Sequence, residues 1–203
     1  MNYRIQPLSF QEILTIYETV SPLHFPKEEL RPLSNIKHLL DRDGYQGLGL
    51  YLPDAALAGY ALFIAPPKEN VVLLDFFAIR EEYRCLGLGG IFLREMQKHF
   101  STKQGLLLET EDVLTSSTEA EKSLRTRRND FYLRNGAFST GIHSSVAGVF
   151  YEIFFLPSRL PSRLPSRTAT LDASLLRSEM EQIYRFMLSD LGPEAYEQLI
   201  RFH

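Results

Sequence analysis

Eight of the nine residues from Val71 to Ile79 (VVLLDFFAI) are apolar, and the dozen that follow hold Gly87, Gly89 and Gly90. A strand without polar alternation must be covered on both faces. This one therefore predicts a layered α/β chain in which helices flank a sheet. Asp75 is the single charged residue in the run. After a short turn comes Arg84-Cys85-Leu86-Gly87-Leu88-Gly89-Gly90, then Leu88, Phe92, Met96 and Phe100 at steps of four. That spacing predicts an amphipathic helix opening inside the glycine stretch.

The flanking sequence predicts the rest. Asn2 to Pro7 reads as a strand. Ser9 with Glu12 forms a capping box ahead of Phe10, Ile13, Leu14 and Tyr17 on one helical face. A second helix is predicted from Pro32 to Asp41, with Leu33, Ile36 and Leu40 inward. Strands follow at Gln46–Leu52 and Leu57–Ala65, before Val71–Ile79. Beyond the glycine helix, Leu106–Glu111 (LLLETE) is a strand. Thr118 and Glu121 form a second capping box, on a helix running to Asn135 and closed by Gly136. Two strands, Phe138–His143 and Ala147–Leu156, complete a mixed, mostly antiparallel sheet of about seven strands.

At residues 156–167 the chain repeats LPSR three times, with proline too frequent for a helix or a central strand. A final helix is predicted from Asp172, with Leu176, Met180, Ile183, Met187 and Leu191 on one stripe and Gly192-Pro193 as its stop. A short helix from Pro193 to Arg201 follows. The expected organisation is a domain over 1–156, a connector over 157–171 and a helical extension over 172–203, packing on the domain or on a partner subunit.

The 203 residues carry 22 Lys and Arg against 25 Asp and Glu, a net charge of −3. That balance argues against nucleic-acid binding. The single cysteine, Cys85, excludes an internal disulfide. The start of the chain does not read as a signal peptide, and no apolar stretch approaches the ~20 residues of a membrane span. A cytoplasmic protein, monomer or homodimer, is expected. The five histidines are scattered without metal-ligand spacing, so no metal is expected.

Glycines between a strand and a helix let backbone N–H groups approach a ligand, and the helix start adds its dipole. A pyrophosphate suits such a place. The nucleotide-binding patterns GxxxxGK[ST] and GxGxxG are both absent. The spacing present is Arg-x-x-Gly-x-Gly, five residues after a strand ending Ala-Ile.

The segment FFAIREEYRCLGLGGIFLREM resembles the acetyl-CoA-binding segment of the GNAT superfamily of N-acetyltransferases. FYLRNGAF (Phe131–Phe138) is similar to the tyrosine-containing helix end of the same superfamily, with Ala137 inserted before the Phe. The resemblance runs from Met1 to about Leu156. It implies a GNAT fold whose strands Val71–Ile79 and Leu106–Glu111 splay to admit acetyl-CoA as acyl donor. Backbone groups of Phe77, Ala78 and Ile79 would pair with the pantetheine arm. N–H groups from Arg84, Cys85, Leu86, Gly87, Leu88 and Gly89, with Gly90, would bind the pyrophosphate. Tyr132 is implied as the general acid for the leaving thiolate. Where the superfamily often carries an asparagine on that helix this chain has Arg125; Asn129, one turn away, is the candidate for the same cofactor contact. Arg125, Arg127 and Arg128 would meet phosphates or form a solvated face.

The proton acceptor is sought among carboxylates. Strand alternation puts Glu109 and Glu111 on one face, with Thr110 on the other. Asp75 is the third candidate. Such a group would bind a cationic amine and take its proton. The expected acceptor is a small-molecule amine in preference to a protein. The alternative is a non-catalytic acyl-CoA-binding or interaction module on the same fold.

Overall fold

The computed structural model describes residues 2–158, 172–192 and 194–203. The repeat beyond Ser158, and Pro193, lie outside the described residues. The chain divides into two compact units, residues 1–68 with 74–96, and residues 69–73 with 97–203. The strand Val71–Ile79 is shared between them.

The first unit begins with β1 (Arg4–Pro7) and α1 (Phe10–Thr19). The capping box forms as expected: Ser9 Oγ accepts from the Glu12 N–H, and the Glu12 carboxylate accepts from the Ser9 N–H at 2.7 Å. Helix α2 spans Leu33–Asp41 and starts one residue after the expected Pro32, which serves as its N-cap. Strands β2 (Tyr45–Tyr51) and β3 (Leu57–Ile64) form an antiparallel meander with β1; Leu48 pairs with Pro7 on one side and with Ala61 on the other. Most of β4 (Val71–Ile79) belongs here and follows β3 in the sheet. Its core includes the fully buried Ile36, Leu39, Leu50, Tyr60, Leu62 and Phe63. Glu28 and Glu29 lie on a separate 3₁₀ turn, Lys27–Glu29, ahead of α2.

The second unit runs from the start of β4 through β5 (Gly105–Glu111), β7 (Val149–Pro157), β6 (Phe138–Val146) and β8 (Ile200–Phe202), in that spatial order. Strands β5 and β7 are antiparallel, with Gly105 opposite Pro157 and Glu111 opposite Tyr151. A Cβ at Gly105 would lie 2.4 Å from the Phe155 ring, which is why this position is glycine. The β6–β7 turn has positive φ at both Ala147 (49°) and Gly148 (88°), the signature of a primed hairpin turn. Helix α4 (Glu119–Arg134) ends as expected at Gly136, φ 94°. Its second capping box is only half formed. Thr118 Oγ1 accepts from Glu121, but the Glu121 carboxylate takes the N–H of Ser117, one residue earlier.

Three features of the tail differ from the sequence reading. Helix α5 (Ala173–Met187) buries Leu176, Met180, Ile183 and Met187, but it stops before Leu191, which is 57% exposed. The predicted helix to Arg201 is only Ala195–Leu199 (α6), and the chain then turns extended. Ile200, Arg201 and Phe202 pair with Val146, Ser145 and Ser144. The sheet therefore has eight strands where about seven were expected. An open edge on β6 offers unpaired N–H and C=O groups, and those bonds outweigh the weak helical preference of Ile-Arg-Phe. Among the described residues no helix is long and apolar enough to cross a membrane.

Candidate functional site

The glycine loop is built from β4 and α3 (Leu88–His99). Phe77, near the end of β4, meets Phe92 of α3 edge to face at 5.6 Å, fixing the strand end against the helix start. The Arg80 N–H donates to the Ala58 carbonyl at 2.9 Å. A 3₁₀ turn, Glu81–Tyr83, follows, and the Arg84 side chain folds back to donate to the Ile79 carbonyl at 3.0 Å.

The loop then reverses hand twice. Cys85 has φ 60° and Gly87 has φ 76°, while Leu86 between them keeps negative φ. Alternation of this kind turns successive N–H groups toward one side, an anion-binding concavity. The helix opens with the bond from Ile91 N–H to Gly87 O, at 3.3 Å. The N–H groups of Leu88, Gly89 and Gly90 thus belong to the unpaired first turn of α3. Residues 84–87 are exposed, and the place where a Gly87 Cβ would sit is open. Cys85 is exposed and holds a left-handed conformation without being glycine. Arg80 and Arg84, after burial, lower the pKa of His24, whose Nδ1 lies 3.2 Å from the Tyr60 hydroxyl.

Asp75, also in the first unit, is held from two directions. Arg31 donates to both its oxygens, one bond being 2.8 Å, and the Tyr45 hydroxyl donates to Oδ2 at 2.5 Å. The Asp75 side chain is 5% exposed. Burial, then the Asp75 charge, pushes the Tyr45 pKa well above its usual value. Both Asp75 oxygens are thus taken up by a guanidinium and a phenol.

In the second unit β5 alternates as expected. Glu109 and Glu111 are half-buried, and Thr110 is buried with its hydroxyl donating to the Glu152 carbonyl. Glu111 is ion-paired with Arg125 at 2.9 Å and with Arg128 at 3.1 Å. Arg125 also donates to the Asp112 carbonyl and to Thr115 Oγ1. These two arginines tie α4 to the end of β5, Arg125 largely buried and Arg128 still exposed to solvent. Glu109 accepts a hydrogen bond from Tyr184 of α5, whose hydroxyl is also 2.9 Å from Ser144 Oγ.

Helix α4 buries only two residues, Asn129 and Tyr132. Three apart, they share a face. Among the described residues Asn129 Oδ1 is buried without a hydrogen-bond partner, and such an atom costs free energy unless something meets it. The Tyr132 ring packs edge to face on Phe131 at 5.3 Å. Burial raises its pKa to about 12, so the phenol stays protonated at neutral pH.

Sequence reasoning missed Arg31, Tyr45, Tyr184 and Ser144. Tyr184 was findable, because it falls on the buried stripe of α5, where a polar tip calls for a partner.

Solved structures share this arrangement of elements. A protein from Desulfovibrio desulfuricans, provisionally assigned as an acetyltransferase of the GNAT family, matches at 24% identity over 78% of this chain and 100% of its own, with a TM-score of 0.56. The chain has the GNAT fold. A Bacteroides thetaiotaomicron protein with the same provisional assignment aligns with the GNAT fold of this chain at 19% identity over 89% of this chain and 97% of its own, TM-score 0.62. The spermidine N-acetyltransferase of Vibrio cholerae, solved with CoA and spermine, matches at 9% identity over 77% and 95%, TM-score 0.54. No protein-family model and no curated protein matches the sequence.

Proposed function

We propose that this protein transfers an acetyl group from acetyl-CoA to the primary amine of a small cationic molecule. The observation that carries the reading is the loop of alternating hand at Cys85–Gly87, opening α3 directly after β4. Its main-chain N–H groups suit a pyrophosphate, and the same fold in Vibrio cholerae is a spermidine N-acetyltransferase solved with CoA. In this reading Phe77, Ala78 and Ile79 pair with the pantetheine arm. Arg84 through Gly90 take the pyrophosphate. The orphaned Asn129 Oδ1 accepts from a donor on the cofactor.

The chemistry is direct attack of a neutral amine on the thioester carbonyl, with loss of CoA thiolate. Tyr132 faces a specific energetic limit. A phenol held at about 12 lies roughly 3.5 units above an ordinary thiol, so full proton transfer to a free thiolate is uphill by about 5 kcal/mol. Its role is to donate a hydrogen bond to sulfur as charge develops there, a form of transition-state stabilisation. The ammonium proton goes to a carboxylate, and among the three candidates we assign Glu109, half-buried on β5 and bonded to the Tyr184 hydroxyl. Asp75 and Glu111 are each paired with arginine.

Those two pairings also favour a second reading, a module that binds acyl-CoA without chemistry. Calorimetry with acetyl-CoA tests the shared premise, and no binding would end both readings. CoA release across a panel of polyamines, amino sugars and amino acids then separates enzyme from binder. With the best acceptor, Tyr132→Phe lowers kcat tenfold or more; an unchanged kcat removes Tyr132 from the mechanism.

A further inference from the structure

Glu109 accepts a hydrogen bond from a residue of α5, beyond the segment whose sequence motifs resemble the GNAT superfamily. Tyr184 of α5 is fully buried, and its hydroxyl bonds both Glu109 and Ser144. The direction of these bonds follows from proton counting. A phenol has one proton and an ionised carboxylate has none. Tyr184 therefore donates to Glu109, and Ser144 must donate to the Tyr184 oxygen. The chain Ser144 → Tyr184 → Glu109 is polarised toward the carboxylate.

A phenylalanine would fill this place in the stripe without the cost of burying a hydroxyl. The hydroxyl has value only through what it holds. Glu109 itself is half-buried, and the phenol holds one of its oxygens, Oε1.

Resting on the acetyltransferase reading above, we infer that Tyr184 is a positioning residue for Glu109, by which the C-terminal extension sets the orientation and basicity of the carboxylate that receives the ammonium proton. A hydrogen bond donated to the ionised form keeps Glu109 charged and aimed. Burial, then the Glu109 charge, raises the Tyr184 pKa well above its usual value, so the donor stays protonated. The same face also carries Tyr151 of β7, opposite Glu111, and Glu111 itself with Arg125 and Arg128 of α4.

The test is Tyr184→Phe, which keeps the ring. Two measurements are made beside acetyl-CoA calorimetry: the carboxyl titration of Glu109 by ¹³C NMR, and the pH profile of CoA release with the best amine of the panel. The expected result is unchanged acetyl-CoA affinity, a Glu109 titration moved up by about one unit, and an acid limb of the rate profile moved up with it. In a Glu109→Gln background the same substitution adds no further loss of rate, because the two residues act as one. An unmoved titration and an unmoved profile in Tyr184→Phe overturn the inference, as does full additivity with Glu109→Gln. Should wild type fail to bind acetyl-CoA, the acetyltransferase reading falls and this role falls with it. Wild-type binding with an unmoved Glu109 defeats only the role of Tyr184.

Discussion

Asp75 and Glu109 each sit inside a strand and each accept a hydrogen bond from a buried tyrosine, Tyr45 in one case and Tyr184 in the other. They differ in what the tyrosine is backed by. Beside Tyr45 stands Arg31, which spans both oxygens of Asp75. Behind Tyr184 stands the hydroxyl of Ser144. A guanidinium holds its carboxylate in an ion pair that spans both oxygens. A hydroxyl chain orients its carboxylate through a neutral donor. The same carboxylate group on the same kind of element is a structural ion pair in the first unit and a candidate base in the second.

The largest effect bears on what the two sites share. Tyr45 and Tyr184 both have pKa values raised by burial and then by their carboxylate, and Tyr132 is raised to about 12. The unfolded phenols titrate near 10. A group whose folded pKa is raised keeps its full stabilisation below the unfolded value and loses it as pH rises through the folded one. Stability should therefore hold to about pH 10 and fall steeply above it, with Tyr132 alone accounting for about 2–3 kcal/mol. Denaturant melts from pH 9 to 12, followed by tyrosinate absorbance, measure this. Tyr45→Phe and Tyr184→Phe should each flatten the slope by roughly one proton, about 1.4 kcal/mol per pH unit. A slope unchanged in either variant would mean that its phenol is not held protonated by the fold.

Next in size is the difference itself. Arg31→Met strands a buried charge at Asp75 and should cost about 3–5 kcal/mol by urea denaturation. If Arg31→Met is near neutral, Asp75 is not fixed by the guanidinium and returns as a candidate base.

None of this contrast was readable from residue order. The apolar run of β4, the helix caps at Ser9 and Asp172 and the left-handed Gly136 were legible because each is a local rule: periodicity, a side-chain acceptor two or three residues from its donor, a backbone angle. Arg31 and Asp75 are 44 positions apart, and Glu109 and Tyr184 are 75 apart. Nothing local to Asp75 signals Arg31, so three carboxylates stood as equals until the fold paired them. The eighth strand was hidden for the same reason: Ile-Arg-Phe becomes extended only because β6 has an edge to fill.

The smallest expected effect concerns a site that works through its main chain. Cys85 lies in the loop with an exposed thiol and φ 60°. If the N–H groups bind the pyrophosphate, the residue matters through its backbone angle, and the sulfur contributes nothing. Cys85→Ser should then leave acetyl-CoA affinity within about twofold of wild type, since both side chains bear the same left-handed penalty, of order 1–2 kcal/mol. Cys85→Val should weaken binding, because a β-branched residue resists positive φ more strongly. The pair separates angle from thiol. Loss of affinity in Cys85→Ser would make the sulfur a ligand contact, and the loop would then read its cofactor partly through a side chain, as the carboxylate sites do. Equal affinity in Cys85→Val would show that the left-handed turn is not required, and with it would go the observation on which the acetyl-CoA reading stands.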